Sequence, residues 1–294
     1  MKSWAKHPLR VSGRLLWLGV EFLFATLSYA KRCAFCSPAN LPKSRATWLQ
    51  QSSQRVLRIF GTKTSVLGGI PQNGLLVCNH LSYLDILILA ALTPSRFVAK
   101  SEVRNWPIFG FFARLAGTIF VERNKRSQAA RSVEQIAVAL QEGPLMVLFP
   151  EGTSSGGETV LPFKSSLLEP AVHNSQPITA GVIAYKLAEG DVSEEVCYWK
   201  DMTLLPHLIN LLSKRNVHAF VQFAETRQER TSRKELARQL HSEVLRLKTS
   251  GWEVNSSNDK PPQEVVRAPD LRRPNPTAPG GRFNLRLSET LPAD

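Results

Sequence analysis

The chain has 294 residues, 43% of them hydrophobic, enough for one substantial domain with appendages. Its 37 lysines and arginines exceed its 24 acidic residues, and the formal charge of +13 favours polyanionic partners: anionic lipid surfaces, phosphorylated substrates or nucleic acid. The basic residues are spread along the chain, with no zinc-finger spacing and no aromatic–basic RNA-binding signature, which sets nucleic acid aside as a partner.

The N-terminus carries Lys2, Lys6, Arg10 and Arg14, followed by an apolar stretch over 15–30 that Lys31 and Arg32 close. Sixteen residues fall short of the ~20 needed to span a bilayer, and Glu21 near the middle makes spanning costlier. Basic flanks with Trp17 and Tyr29 near the ends suit a helix lying in a membrane interface. Glu21 also argues against a cleaved secretion signal, although 28–30 has the small residues of a cleavage site. Cys33 and Cys36 form a CxxC without a second pair or nearby histidines. With Cys78 and Cys197 they read as thiols in a reducing compartment, and no metal site is expected.

Residues 45–68 read as a helix leading into a strand. Beyond them strands and helices alternate: a strand at 75–78, a helix at 83–92, a strand at 96–100, a helix at 106–115, a strand at 118–121, an amphipathic helix at 128–141, and strands at 145–149 and 178–185. The run 203–212 is apolar and short, a second lipid contact or plain core; 216–223 is a late strand and 233–248 has helical spacing. Past Gly251 the composition turns to Pro, Asn, Ser and Arg without periodicity, which reads as a disordered tail. The alternation predicts an α/β fold with both faces of its sheet covered.

Chemistry concentrates at strand ends, where open α/β sheets bind ligands. His80 and Asp85, five positions apart, do not share a face of a regular helix. They meet only if His80 lies in the turn before the 83–92 helix and Asp85 in its first turn. There they can form a general-base dyad, the carboxylate fixing the tautomer and stabilising the imidazolium. The competing reading makes Ser82 and Asp85 a capping box and His80 an ordinary loop residue. After 118–121 comes Glu122-Arg123, and Arg123 can hold a phosphate through paired charge-assisted bonds. After 145–149 comes Glu151-Gly152-Thr153, where Gly152 permits close backbone approach to an anion. Lys100 and Lys164 add cations. Cys78, two residues before His80, sits in the apolar strand and reads as core.

The ordered set Asn79-His80-x-Ser82-x-x-Asp85, 117–123, Phe149-Pro150-Glu151-Gly152-Thr153 and Pro177-Ile178-Thr179 resembles the glycerophospholipid acyltransferases, whose best-known members acylate 1-acylglycerol-3-phosphate. The resemblance covers about residues 60–225. It implies a mixed, mostly parallel sheet flanked by helices, with a membrane-associating helix before it. It also implies His80 as general base, Asp85 as its orienting partner, and Arg123, Glu151, Gly152 and Thr153 as acceptor-binding residues, with Lys100 and Lys164 as further contacts. The implied reaction moves a fatty acyl group from a thioester, on coenzyme A or acyl carrier protein, to a lysophospholipid hydroxyl. No cofactor, metal or nucleic acid takes part. 1-Acylglycerol-3-phosphate is the expected acceptor and lyso-ornithine lipid the alternative; a non-catalytic lipid-binding protein is the reading from a different class. The organisation expected is a membrane-associating segment at 1–45, the acyltransferase domain at 46–250 and the tail at 251–294, with the enzyme on the cytoplasmic face of the inner membrane. Two positions depart from the family's pattern: Ser165-Ser166, where glycine is common, and Lys200, before Asp201, where glycine is also common.

Overall fold

The computed structural model describes residues 7–122, 126–173, 175–226 and 232–256. Arg123 and the tail from 257 onward lie outside the described residues.

In chain order the elements are α1 (Pro8–Cys33), α2 (Leu41–Phe60), β1 (Thr62–Leu67), β2 (Leu75–Cys78), α3 (Tyr83–Leu92), β3 (Ser95–Lys100), α4 (Phe109–Leu115), β4 (Ile119–Val121), α5 (Arg126–Ala139), β5 (Leu145–Leu148), α6 (Glu169–Val172), β6 (Ile178–Leu187), α7 (Val192–Glu195), α8 (Leu204–Ser213), β7 (Val217–Thr226) and α9 (Arg233–Ser256). The strands form one sheet in the order β1-β7-β6-β2-β5-β3-β4. Strands β6, β2, β5, β3 and β4 run one way, while β7 and β1 run the other, the reversal lying at the antiparallel β6–β7 pair. The sheet is thus mixed and mostly parallel.

Helices cover both faces. On one side Val56, Leu57 and Phe60 of α2, Leu84 and Ile88 of α3, and Leu211 and Leu212 of α8 pack on Leu76, Val147, Ile183 and Val221. On the other, Ile136 and Ala139 of α5, Ala171 of α6, and Leu236 and Leu240 of α9 pack on Leu75, Val77, Met146 and Leu148. Central strands β2 and β5 are therefore buried at every residue, which is why they read as continuous apolar runs rather than alternating ones. Burial along β7 alternates residue by residue until its last two positions, as the period-2 side-chain geometry requires where one face is better covered.

The structure bears on several expectations. Helix α1 spans 26 residues, long enough by length and composition to cross a bilayer, because its basic first turns belong to it. Arg10 and Arg14 are engaged by the domain: their guanidinium groups donate to the carbonyls of Leu212, Ser213 and Lys214 at the end of α8. Those last carbonyls have no intrahelical partner, so a cation there satisfies them and opposes the helix dipole. Glu21 is buried and takes two bonds from Arg55 Nε, 2.8 and 2.9 Å, so its charge faces α2 rather than lipid. The expected boundary at residue 45 falls inside α2, and α9 continues through Gly251 to Ser256. A helix starts at 109 rather than 106, because 107–108 makes a turn with Ile108 at φ 62°. Finally, α8 is core on its inner face, burying His207, Leu208, Leu211 and Leu212, with Leu205 exposed.

Candidate active site

The carboxyl ends of the neighbouring central strands β2 and β5 bring His80, Asp85 and Glu151 together. Strand β2 ends at Cys78 and delivers Asn79 and His80; its neighbour β5 ends at Leu148 and delivers Phe149, Pro150 and Glu151. Ser82 is the N-cap of α3, placing His80 before the helix and Asp85 in its first turn. The two side chains meet: His80 Nδ1 lies 2.8 Å from Asp85 Oδ2, with the histidine 20% exposed and the aspartate fully buried. The same Oδ2 accepts the backbone N–H groups of Leu81 (2.6 Å) and Ser82 (2.9 Å). The cap and the dyad are therefore not alternatives, because one oxygen serves both. An ionised carboxylate is acceptor-only, so His80 carries its proton on Nδ1, which leaves Nε2 as the basic nitrogen.

Three supports of the dyad had no role assigned to them from the sequence, although Asn79 and Phe149 stand in its motifs. Asn79 is buried, and its side chain pairs with the Ile183 backbone, accepting from its N–H at 2.8 Å and donating to its carbonyl at 3.0 Å. It thereby extends the β2–β6 pairing by one step beyond Cys78↔Gly181. The imidazole of His80 stacks on Phe149, ring centroids 4.2 Å apart and 15° between planes. Tyr185 of β6 is buried and donates its hydroxyl to Asp85 Oδ1. A tyrosine near the end of a mostly apolar strand was the available signal, since a buried phenol needs a polar partner.

Glu151 is 2% exposed, and its carboxylate turns inward. Oε1 accepts the His80 N–H at 2.7 Å and Oε2 accepts the Leu161 N–H at 2.9 Å. Burial pushes its pKa up, against those two bonds and the nearby imidazole. The carboxylate expected to touch acceptor is thus committed to the loop that carries the base. Gly152 has φ +70°, a left-handed turn that favours glycine, and its N–H closes on the Phe149 carbonyl at 3.0 Å. Thr153 is exposed beside it, and the Ser155 N–H returns to the His80 carbonyl at 3.0 Å. Lys164 is exposed, and its backbone N–H binds the Pro150 carbonyl at 2.8 Å, which brings its loop to the same turn. Lys100 is exposed at the end of β3, in register with Val121. Arg123, two residues beyond Val121, lies outside the described residues.

Beside the dyad, Tyr83 donates to His207 Nδ1 at 3.0 Å, and His207 Nε2 donates to the Cys197 carbonyl at 2.9 Å. Tyr83 also packs on Tyr198 and Phe109. A mostly apolar cavity of about 490 Å³ reaches the support of the dyad through Asn79, Leu81 and Tyr185, and extends past Ile183 and Val182 toward Leu247. Cys78 is fully buried and its thiol is pushed well up by burial, which fits a core residue and not a nucleophile.

The chain is similar to known proteins. Residues 61–184 match the family model described as Acyltransferase. A lyso-ornithine lipid O-acyltransferase of Brucella abortus is 38% identical over 209 residues, covering 65% of this chain and 78% of that protein. A 1-acyl-sn-glycerol-3-phosphate acyltransferase of Neisseria meningitidis serogroup B is 34% identical over 175 residues, covering 55% and 69%. The crystal structure of the 1-acyl-sn-glycerophosphate acyltransferase PlsC from Thermotoga maritima superposes with a TM-score of 0.65 at 21% identity, over 88% of this chain and 100% of that one, and shows the same fold. With its strand-end motifs assembled on that fold, the chain belongs to the glycerophospholipid acyltransferase family and is an O-acyltransferase.

Proposed function

We propose that the chain transfers a fatty acyl group from an acyl thioester, on coenzyme A or acyl carrier protein, to the free hydroxyl of a lyso-lipid, with His80 as general base. The observation that carries this reading is the 2.8 Å contact between a buried aspartate and a partly exposed histidine whose second nitrogen is left for substrate. Nε2 removes the hydroxyl proton as the oxygen attacks the thioester carbonyl, and Asp85 stabilises the imidazolium. The tetrahedral intermediate expels the thiolate, which takes the proton back from Nε2. The apolar cavity beside Asn79 and Tyr185 suits a hydrocarbon chain. Arg123, with Lys100 and Lys164, is assigned to the acceptor's anionic group, the ornithine carboxylate or the glycerol phosphate, and Gly152 and Thr153 to the turn that meets it; Glu151 holds the base in place.

Two acceptors fit. The Brucella abortus relative named for lyso-ornithine lipid aligns at higher identity over a longer stretch than the Neisseria meningitidis enzyme named for 1-acyl-sn-glycerol-3-phosphate, which favours the ornithine-bearing acceptor over the glycerophosphate, with phosphatidic acid the product of the second. The enzyme works at a membrane surface, on the cytoplasmic face. In support, α1 buries Val11, Leu18, Glu21 and Ala25 while exposing Leu16, Trp17, Val20, Leu23, Phe24 and Leu27. One face is held by the domain and the other is apolar, as suits a helix lying in the interface.

The test is a matrix of lyso-lipid acceptors against both thioester donors, with wild type and His80→Ala, followed by release of the thiol. His80→Ala should lose at least the ~10²–10⁴-fold typical of general-base catalysis. Near-normal turnover would remove the base assignment, and absence of thiol release with every acceptor would remove the proposed reaction.

A further inference from the structure

Asp85 receives four donors. His80 and the Leu81 and Ser82 amides share Oδ2. Among the hydrogen bonds of the described residues, Oδ1 accepts only from Tyr185, a hundred positions later in the chain. Resting on the base reading of His80, we propose that Tyr185 is a positioning residue for acyl transfer: its hydroxyl fixes the plane of the Asp85 carboxylate and sets how strongly Oδ2 holds the imidazolium.

The geometry favours a tuned contact over incidental packing. The Asn79 side chain locks onto both backbone groups of Ile183, fixing β6 against the turn that carries His80. Ile183 and Tyr185 lie two apart on a strand and so face the same side. The phenol therefore reaches Asp85 from a strand whose register the active-site turn itself sets. Asp85 is fully buried, so no water replaces a missing donor on Oδ1 without entering the core. The groups facing the carboxylate are His80, Tyr185, Glu151 on the His80 amide, and the thiols of Cys78 and Cys197. Burial pushes Cys197 up to about 12, and burial with Asp85 pushes the Tyr185 phenol well above its ordinary value. Both remain protonated through the working range, so Tyr185 stays a donor to Asp85.

The sign of the effect follows. A hydrogen bond to Oδ1 withdraws charge from Oδ2. Without it the anion binds the imidazolium more tightly, and neutral base appears only at higher pH. Tyr185→Phe keeps the ring and removes the donor. We expect kcat to fall about tenfold, because a carboxylate plane that is no longer fixed misaims the imidazole, and this loss outweighs the tighter hold on the imidazolium. The KM for the lyso-lipid should stay within about twofold, and the acid limb of kcat/KM should move up by about half to one pH unit. In an Asp85→Asn background the same substitution should cost much less. Incorporating 3-fluorotyrosine at 185, which strengthens the donor at nearly constant volume, should move the limb down, and it decides the matter if Tyr185→Phe does not fold. An unmoved acid limb in both variants, or an equal cost with Asn at position 85, overturns the inference. His80→Ala separates the two readings: if it retains turnover the base assignment fails, whereas if it is inactive and Tyr185→Phe behaves as wild type, only the role of Tyr185 fails.

Discussion

Replacing Glu151 separates two roles for the Glu-Gly-Thr turn: contact with the acceptor, as the family resemblance implies, or support of the base. The carboxylate is 2% exposed and its two oxygens accept one backbone amide each, at 2.7 and 2.9 Å. Hydrogen bonds to a charged group contribute roughly 1.5–3 kcal/mol apiece. Glu151→Gln keeps one carbonyl oxygen but turns its NH₂ against the other amide, so one bond is lost and the survivor is weakened. The net cost is about 2–4 kcal/mol, moderated because the buried carboxylate's own desolvation penalty disappears. Part of that cost falls on the His80 turn. If a third to a half of it is expressed in the barrier, kcat drops about tenfold. Glu151→Ala orphans both amides and should lose about a hundredfold. Steady-state thiol release at varied lyso-lipid, with thermal unfolding of each variant, reads both quantities. Support of the base predicts lower kcat, a lower melting midpoint and nearly constant KM. A tenfold rise in KM at unchanged kcat and midpoint would refute the reasoning and return Glu151 to the acceptor.

Other consequences are open to direct measurement. Lys200 sits at φ 52° with its ammonium over the Trp199 ring at 3.8 Å, so the backbone there prefers glycine, as many family members have it. In urea titrations Lys200→Gly should be about 1 kcal/mol more stable than Lys200→Ala, the reverse of the usual order; equal stabilities would remove the strain argument. At Gly156 an added Cβ would lie 2.6 Å from the Trp199 ring, whose Nε1 donates to the Ser193 carbonyl. Gly156→Ala should therefore cost about 1–3 kcal/mol as the indole shifts, and a wild-type melting curve would count against that packing. Burial lowers the pKa of His207, so the unfolded chain takes the proton first. The associated stability is present above the ordinary histidine value near ~6.5 and is lost as pH falls through it toward the lowered one. His207→Gln should flatten this part of the stability–pH curve; an unchanged slope would assign it elsewhere.

The order and type of most elements were legible because burial imposes a period. Both faces of β2 and β5 are covered, so they appear as apolar runs, and α9 shows its inner face at Leu236, Leu240, Val244 and Leu247. Ends were less legible. Charged residues do not stop a helix whose polar side chains find partners, so α1 begins before Arg10 and Arg14. Glu21 appeared as a cost to membrane contact, since nothing local announces that Arg55, 34 positions away, receives it.

The same division holds at the active site. Residue types and short spacings alone determined that His80 stands before a helix and Asp85 in its first turn, because capping and dyad geometry are both local and fall within six residues. Only the tertiary structure decided what surrounds them: Tyr185 on Oδ1, Asn79 on the Ile183 backbone, Phe149 under the ring, and Glu151 turned inward to the His80 amide. Those contacts join strands far apart in sequence, and a hydrogen bond across a sheet depends on register and burial, neither of which one strand carries by itself.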